Sequence, residues 1–172
     1  MIGTTKGVLA AVLLLGAGAG GIAVATGGFP GLGDTAKTKA AEPQSGKIAL
    51  TVKSANGVHA FKVEVARTPA EQEKGLMFRT NIPKTEGMIF TPYPAEGGPP
   101  RDANFWMKNT PSSLDIIFIR ADGTIARIAE NAVPFSEAPI PSGEPVAAVL
   151  EINGGLAGEL GIAEGDRVSW GK

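Results

Sequence analysis

Two segments constrain this chain most. Leu114-Asp115-Ile116-Ile117-Phe118-Ile119-Arg120 is a β-branched apolar run, and Val146 to Ile152 is apolar on both faces. A strand with no polar face cannot lie on the surface, because both of its sides must be covered. Both segments therefore read as interior strands of a sheet. Asp122-Gly123 follows the first as a hairpin turn, and Thr124 to Ala129 returns from it.

The remaining elements are short. Ile48, Leu50 and Val52 alternate with polar or small residues, and Phe61, Val63 and Val65 do the same around Lys62 and Glu64. Asn56-Gly57 between them predicts a two-residue hairpin turn. Thr68-Pro69-Ala70-Glu71 predicts a helix start, with a cap, a proline suited to the first position and a capping-box acid. Lys74 and Gly75 end that helix after about two turns. Gly87 to Phe90 reads as a short buried strand, and Thr91 to Asp102 as a long proline- and glycine-rich surface loop. Val133 to Pro145 reads as an extended crossing. Asn153 or Gly154 opens a second short helix that Gly161 closes, and Arg167 to Trp170 is a last strand. About seven or eight short strands with two short helices define an α+β fold, a compact β-rich domain on a mainly antiparallel, curved or barrel-like sheet.

The first 46 residues are different. Gly7 to Ala25 carries no charge, its most apolar part is Val8 to Leu15, and Ala23-Val24-Ala25 fits a small-x-small cleavage site. Residues 1–25 read as a signal peptide or, uncleaved, as a membrane anchor over residues 7–25. Residues 26–46 read as a flexible linker, and 47–172 as one globular domain. The expected location is extracytoplasmic or periplasmic, with membrane contact only through the N-terminal segment. The chain contains no cysteine, so disulfides, cysteine-ligated zinc and a lipoprotein anchor are excluded. With 16 basic and 17 acidic residues it lacks the basic footprint of a nucleic-acid binder.

The chemistry-bearing residues centre on Asn104-Phe105-Trp106-Met107-Lys108-Asn109-Thr110. Read as extended chain, this segment sends Phe105 and Met107 into the core and sets Asn104, Trp106 and Lys108 on the other face. An amide, an indole and an ammonium together suit a small polar, ring-bearing or anionic ligand. Lys108 either meets such a ligand or pairs with Asp115 or Glu151. Glu151 shares its strand face with Ala147 and Val149, so it is at least partly buried and needs a partner or a raised pKa. The plainer alternative gives it a salt bridge to Arg79 or Lys108. Arg79 is either an anion fork for the site or an exposed surface arginine. Asn109 belongs to a turn and caps its own backbone. His59 is the sole histidine and cannot make a multi-histidine metal centre. Ser112 and Ser113 carry no nucleophile signature, and Met77, Met88 and Met107 read as core fillers. Neither metal nor cofactor is implied.

Gly75-Leu76-Met77-Phe78-Arg79, Gly87-Met88-Ile89-Phe90, Phe105 to Thr110, Leu114 to Phe118 and Leu150-Glu151 occur in this order. In combination they resemble the domain-of-unknown-function family 192, an uncharacterised bacterial and archaeal group, over about Ile48 to Trp170. The resemblance implies a compact β-rich α+β domain, often behind an export signal, and marks Arg79, Trp106, Lys108, Asn109, Asp115 and Glu151 as positions to test. Three functional readings follow. The leading one is an exported domain that holds a small polar or anionic ligand, such as a saccharide or envelope fragment, against Trp106. The second is a hydrolase or lyase with Asp115 and Glu151 as acid and base, which requires the two carboxyls to converge in one cleft. The third is a structural or partner-binding envelope module, which requires no pocket at Trp106 and an exposed apolar patch instead.

Overall fold

The computed structural model describes residues 46–171. The expected leader, 1–25, and all of the linker except Gly46 lie outside these residues. Nine strands and two helices follow one another: β1 (Ile48–Ser54), β2 (Gly57–Ala66), α1 (Pro69–Lys74), β3 (Glu86–Phe90), β4 (Arg101–Phe105), β5 (Leu114–Ile119), β6 (Ile125–Ala132), β7 (Ile140–Val146), β8 (Ala148–Asn153), α2 (Leu156–Leu160) and β9 (Arg167–Trp170). Seven strands form one sheet in the order β6-β5-β8-β3-β2-β1-β9, and β4 pairs with β7 as a separate ribbon. Every pairing is antiparallel except β2 with β3, which α1 connects.

The sheet is strongly curled into a half-barrel. Its edges meet at one end, where Thr124, just before β6, bridges Arg167 of β9. Ile125 N–H donates to the Asp166 carbonyl at 2.8 Å, and Val168 N–H donates to the Gly123 carbonyl at 2.8 Å. This curvature divides the apolar residues into two clusters. One contains Leu50, Val52, Phe61, Val63, Ile89, Ile117, Leu150 and Ile152, with Leu156 and Ala157 from α2. The other contains Met88, Phe90, Ile116, Phe118 and Val149, with Leu76, Ala103, Met107 and Val146 from the segments laid across that face. β5 is buried at all six positions, and β8 at all but Asn153. These are the two runs without a polar face, and each now has cover on both sides.

Local sequence chemistry accounts for the ends of the elements. Thr68 Oγ1 accepts from Glu71 N–H, while Glu71 Oε2 accepts from Thr68 N–H at 2.9 Å and Arg67 N–H at 2.8 Å. Those two backbone donors hold the Glu71 carboxyl below its ordinary pKa. α1 buries no residue of its own, so its caps matter more than its packing. The first hairpin turn is displaced by one residue from expectation. Ser54 pairs with Gly57, so the turn falls on Ala55-Asn56 and the positive φ (136°) falls on Gly57 alone. The extended crossing proves to contain a true strand, β7, held by β4.

One glycine is fixed by close approach. A Cβ on Gly87 would lie 2.2 Å from the Glu151 carbonyl oxygen of the neighbouring strand β8. Gly87→Ala is therefore expected to push β3 and β8 apart and to cost about 2–4 kcal/mol. Chemical denaturation measures this, and a loss below about 0.5 kcal/mol would show that the backbones separate freely.

Candidate functional site

The segment after β4 builds one wall of a cleft. β4 stops at Phe105, and the chain then turns instead of continuing as a strand. Met107 N–H donates to the Ser136 carbonyl at 2.8 Å, and Thr110 N–H donates to the Met107 carbonyl at 3.0 Å. Met107 is fully buried. Asn104, Trp106 and Lys108 nevertheless all line the same cleft, of about 210 Å³. The expectation of a single extended strand is corrected, because its second half is a turn pinned by Ser136. Phe105 packs against the core as expected, 5.0 Å from Phe90, and its part-buried ring lines the cleft as well.

The opposite wall comes from the end of α1, with Gln72, Glu73, Lys74, Leu76 and Met77. Gly75 makes this approach possible. It ends α1 at φ 45°, and a Cβ there would sit 3.2 Å from the Phe90 ring. Tyr93, from the loop between β3 and β4, closes a third side. That loop is thus part of the cleft. Gln72 Nε2 donates to the Pro92 carbonyl at 2.7 Å and ties the loop to α1. Nothing in the sequence singled out Gln72 or Tyr93. Their signal is tertiary, because α1 and the loop meet only in the folded domain.

Trp106 is 45% exposed, and the Lys108 ammonium stands 5.1 Å from its ring centroid, within the range of a cation–π contact. Lys108 makes no ion pair among the described residues, so the expected partners Asp115 and Glu151 do not hold it. A shallower recess of about 360 Å³ continues past Trp106 and Lys108 to Asn109. Asn109 adopts φ 53°, and its Nδ2 contacts the Met77 sulfur at 3.9 Å, so it does not cap its own backbone.

Glu151 forms part of the cleft lining. It projects from β8 between Met88 of β3 and Ile116 of β5, on the face shared with Val149. It is 5% exposed, and its Oε2 is buried without a hydrogen-bond partner among the described residues. The expected salt bridge to Arg79 or Lys108 is absent. Burial pushes its carboxyl up to about 8, so at neutral pH it is mostly the neutral acid. Among the described residues, no group of three or more histidines, aspartates and glutamates could hold a metal ion.

Two expected site residues lie elsewhere. Arg79 makes a two-pronged contact with Glu64, at 3.1 and 3.0 Å, and does not line the cleft. Asp115 pairs with Ile152 across β5 and β8, one residue out of step with Glu151. Its side chain therefore points to the opposite face of the sheet. There it is fully buried and accepts from Asn131, Gly155 and Ala157 N–H, each at 2.8 Å. Asp115 and Glu151 do not converge, so they cannot act as an acid–base couple in one cleft.

A curled α+β sheet with one aromatic cleft floored by a carboxyl defines the class of domain. The chain belongs to the domain-of-unknown-function family 192, whose description reads Uncharacterized ACR and whose model matches residues 50–170. It is similar to a solved protein of unknown function from Novosphingobium aromaticivorans, at 53% identity and a TM-score of 0.68, over 75% of this chain and 90% of that one. It is also similar to a solved protein from Sinorhizobium meliloti described as a candidate transcription regulator, at 44% identity and a TM-score of 0.69, over 75% of this chain and 97% of that one. Comparison with curated proteins gives no match.

Proposed function

We propose that the domain acts outside the cytoplasm and binds a small polar, ring-bearing ligand, such as a saccharide or envelope fragment, against Trp106. The observation that carries this reading is a half-exposed indole beside an ammonium without an ion-pair partner among the described residues, on the wall of a cleft of about 210 Å³. Buried clefts with a few polar groups are the usual form of small-molecule sites. The indole offers a stacking face, Lys108 a charge, and Asn104 both a donor and an acceptor. The uncharged segment from Gly7 to Ala25 supports export. The balanced charge speaks against carrying over a nucleic-acid partner from the Sinorhizobium protein's description.

Trp106→Ala is expected to weaken binding about tenfold or more, as loss of one aromatic stacking partner does elsewhere. Ligand-detected NMR and thermal-shift screening of wild type and variant measure this. A panel of saccharides and envelope fragments with no hit sensitive to Trp106 would sink the reading.

A second reading rests on a different observation. Phe78 and Phe135 are 70% and 63% exposed, although each adopts a positive φ that disfavours a bulky side chain. Their N–H groups donate to the carbonyls of Asn109 and Thr110. Two phenyl groups held out to solvent beside the cleft rim suit a protein partner.

A further inference from the structure

Glu151 is the cleft group that a merely polar or anionic ligand leaves unexplained. A buried carboxyl oxygen without a partner is costly, and folds tolerate such a group mainly where something else satisfies it. Here the cleft reaches it. The nearest cross-strand neighbours, Met88 and Ile116, supply no donor. The ionisable groups that share the cleft are Glu73, Lys74, Tyr93 and Lys108, and none of them bonds Glu151. The cleft therefore holds the buried Glu151 carboxyl, a second acid in Glu73, and two ammonium groups, Lys74 and Lys108. Between them lie the rings of Phe90, Tyr93, Phe105 and Trp106. Carboxylates and aromatic faces both favour a cation. An anionic group beside Glu151 would meet an acid whose cross-strand neighbours, Met88 and Ile116, offer it no donor.

Resting on the ligand-binding reading above, we infer that the ligand carries a protonated primary amine, which enters first and donates to Glu151. Its ring lies against Trp106, and any anionic end stays at Lys108. The ligand class is thus a small amine-bearing ring, an amino sugar being the simplest example. Glu151 must be ionised to accept the ammonium, and burial leaves it mostly protonated at neutral pH. Binding then releases that proton to solvent, with the ammonium replacing it as the group that satisfies the carboxylate.

The test titrates the full-length protein with glucosamine, N-acetylglucosamine and glucose by calorimetry at pH 7, in two buffers of different ionisation enthalpy. Glucosamine is expected to bind about tenfold or more tightly than the two neutral sugars, with net proton release, because its contact to Glu151 is charge-assisted. Glu151→Gln is expected to bring glucosamine down to the affinity of glucose, and the variant's melting curve shows that it remains folded. Equal binding of the three sugars, lost on Trp106→Ala, would overturn the amine inference and leave the ligand-binding reading standing. Glucosamine binding without proton release, or unchanged in Glu151→Gln, would overturn it as well. No glucosamine binding at all overturns the inference, and the wider Trp106 screen then decides the ligand-binding reading separately.

Discussion

Glu151→Gln should raise the stability of this domain at pH 7 by about 3 kcal/mol, an unusual gain for a change at a buried position. The reason is linkage. The folded carboxyl is pushed up to about 8, against 4.5 for an unburied glutamate. Below pH 4.5 both states are protonated and burial of the neutral acid carries no ionisation penalty. Between pH 4.5 and 8 the unfolded chain loses its proton while the folded domain keeps it. Stability therefore falls as pH rises through this window, by up to about 1.4 kcal/mol per pH unit, and levels off above it. Glutamine is neutral in both states and nearly the same shape, so its contribution to that slope vanishes. Urea denaturation of both proteins from pH 4 to pH 9 measures the difference. Wild type and variant should agree near pH 4 and diverge steadily above it. Parallel curves would mean that water or an unseen partner already satisfies Glu151.

The second large effect has the opposite sign. Asp115→Ala should lose about 3–5 kcal/mol, since three backbone donors, one of them buried and two part-buried, would be orphaned together. Asn131, Gly155 and Ala157 all donate to this one carboxylate. They belong to β6, to the residue that caps α2 and to α2 itself, so Asp115 knits three segments where the sheet meets the helix. α2 has no other side-chain cap at its start. Asp115→Asn should lose less, because one oxygen survives, but its amide N–H₂ faces donors instead of accepting from them. Denaturant unfolding at constant pH gives both values. Since Asp115 lies on the far face of the sheet, ligand affinity at Trp106 should be unchanged in any variant that stays folded. A loss under about 1 kcal/mol for the alanine variant would show that water replaces the carboxylate.

The two acids show how far a sequence can be read. Glu151 read as at least partly buried from its strand face, and both acids are buried. Each lies in an apolar strand, which is a statement about period and composition alone. Whether they shared a face depended on the register between β5 and β8, and a shift of one residue reverses the answer. No local signal specifies that register. Asn104, Trp106 and Lys108 were legible as a group because alternation survived the turn after Phe105. The turn itself was not, because its cause is the Ser136 carbonyl, 29 positions beyond Met107. Arg79 followed the same logic. Its guanidinium had several acids within conceivable reach, and β2 delivered Glu64.

The sequence alone determined the family, the α+β class, the capped helix α1 and the doubly buried strands β5 and β8. These follow from local propensity, capping chemistry and the demand that a run without a polar face be covered twice. The tertiary structure decided the site. Only packing brings the end of α1, the Tyr93 loop and Trp106 around one cleft. Only register turns Glu151 towards it and Asp115 away. Cross-strand register and loop docking are set by contacts between residues far apart in the chain, so the same side chains could have formed a salt bridge, an acid–base pair or an open binding floor.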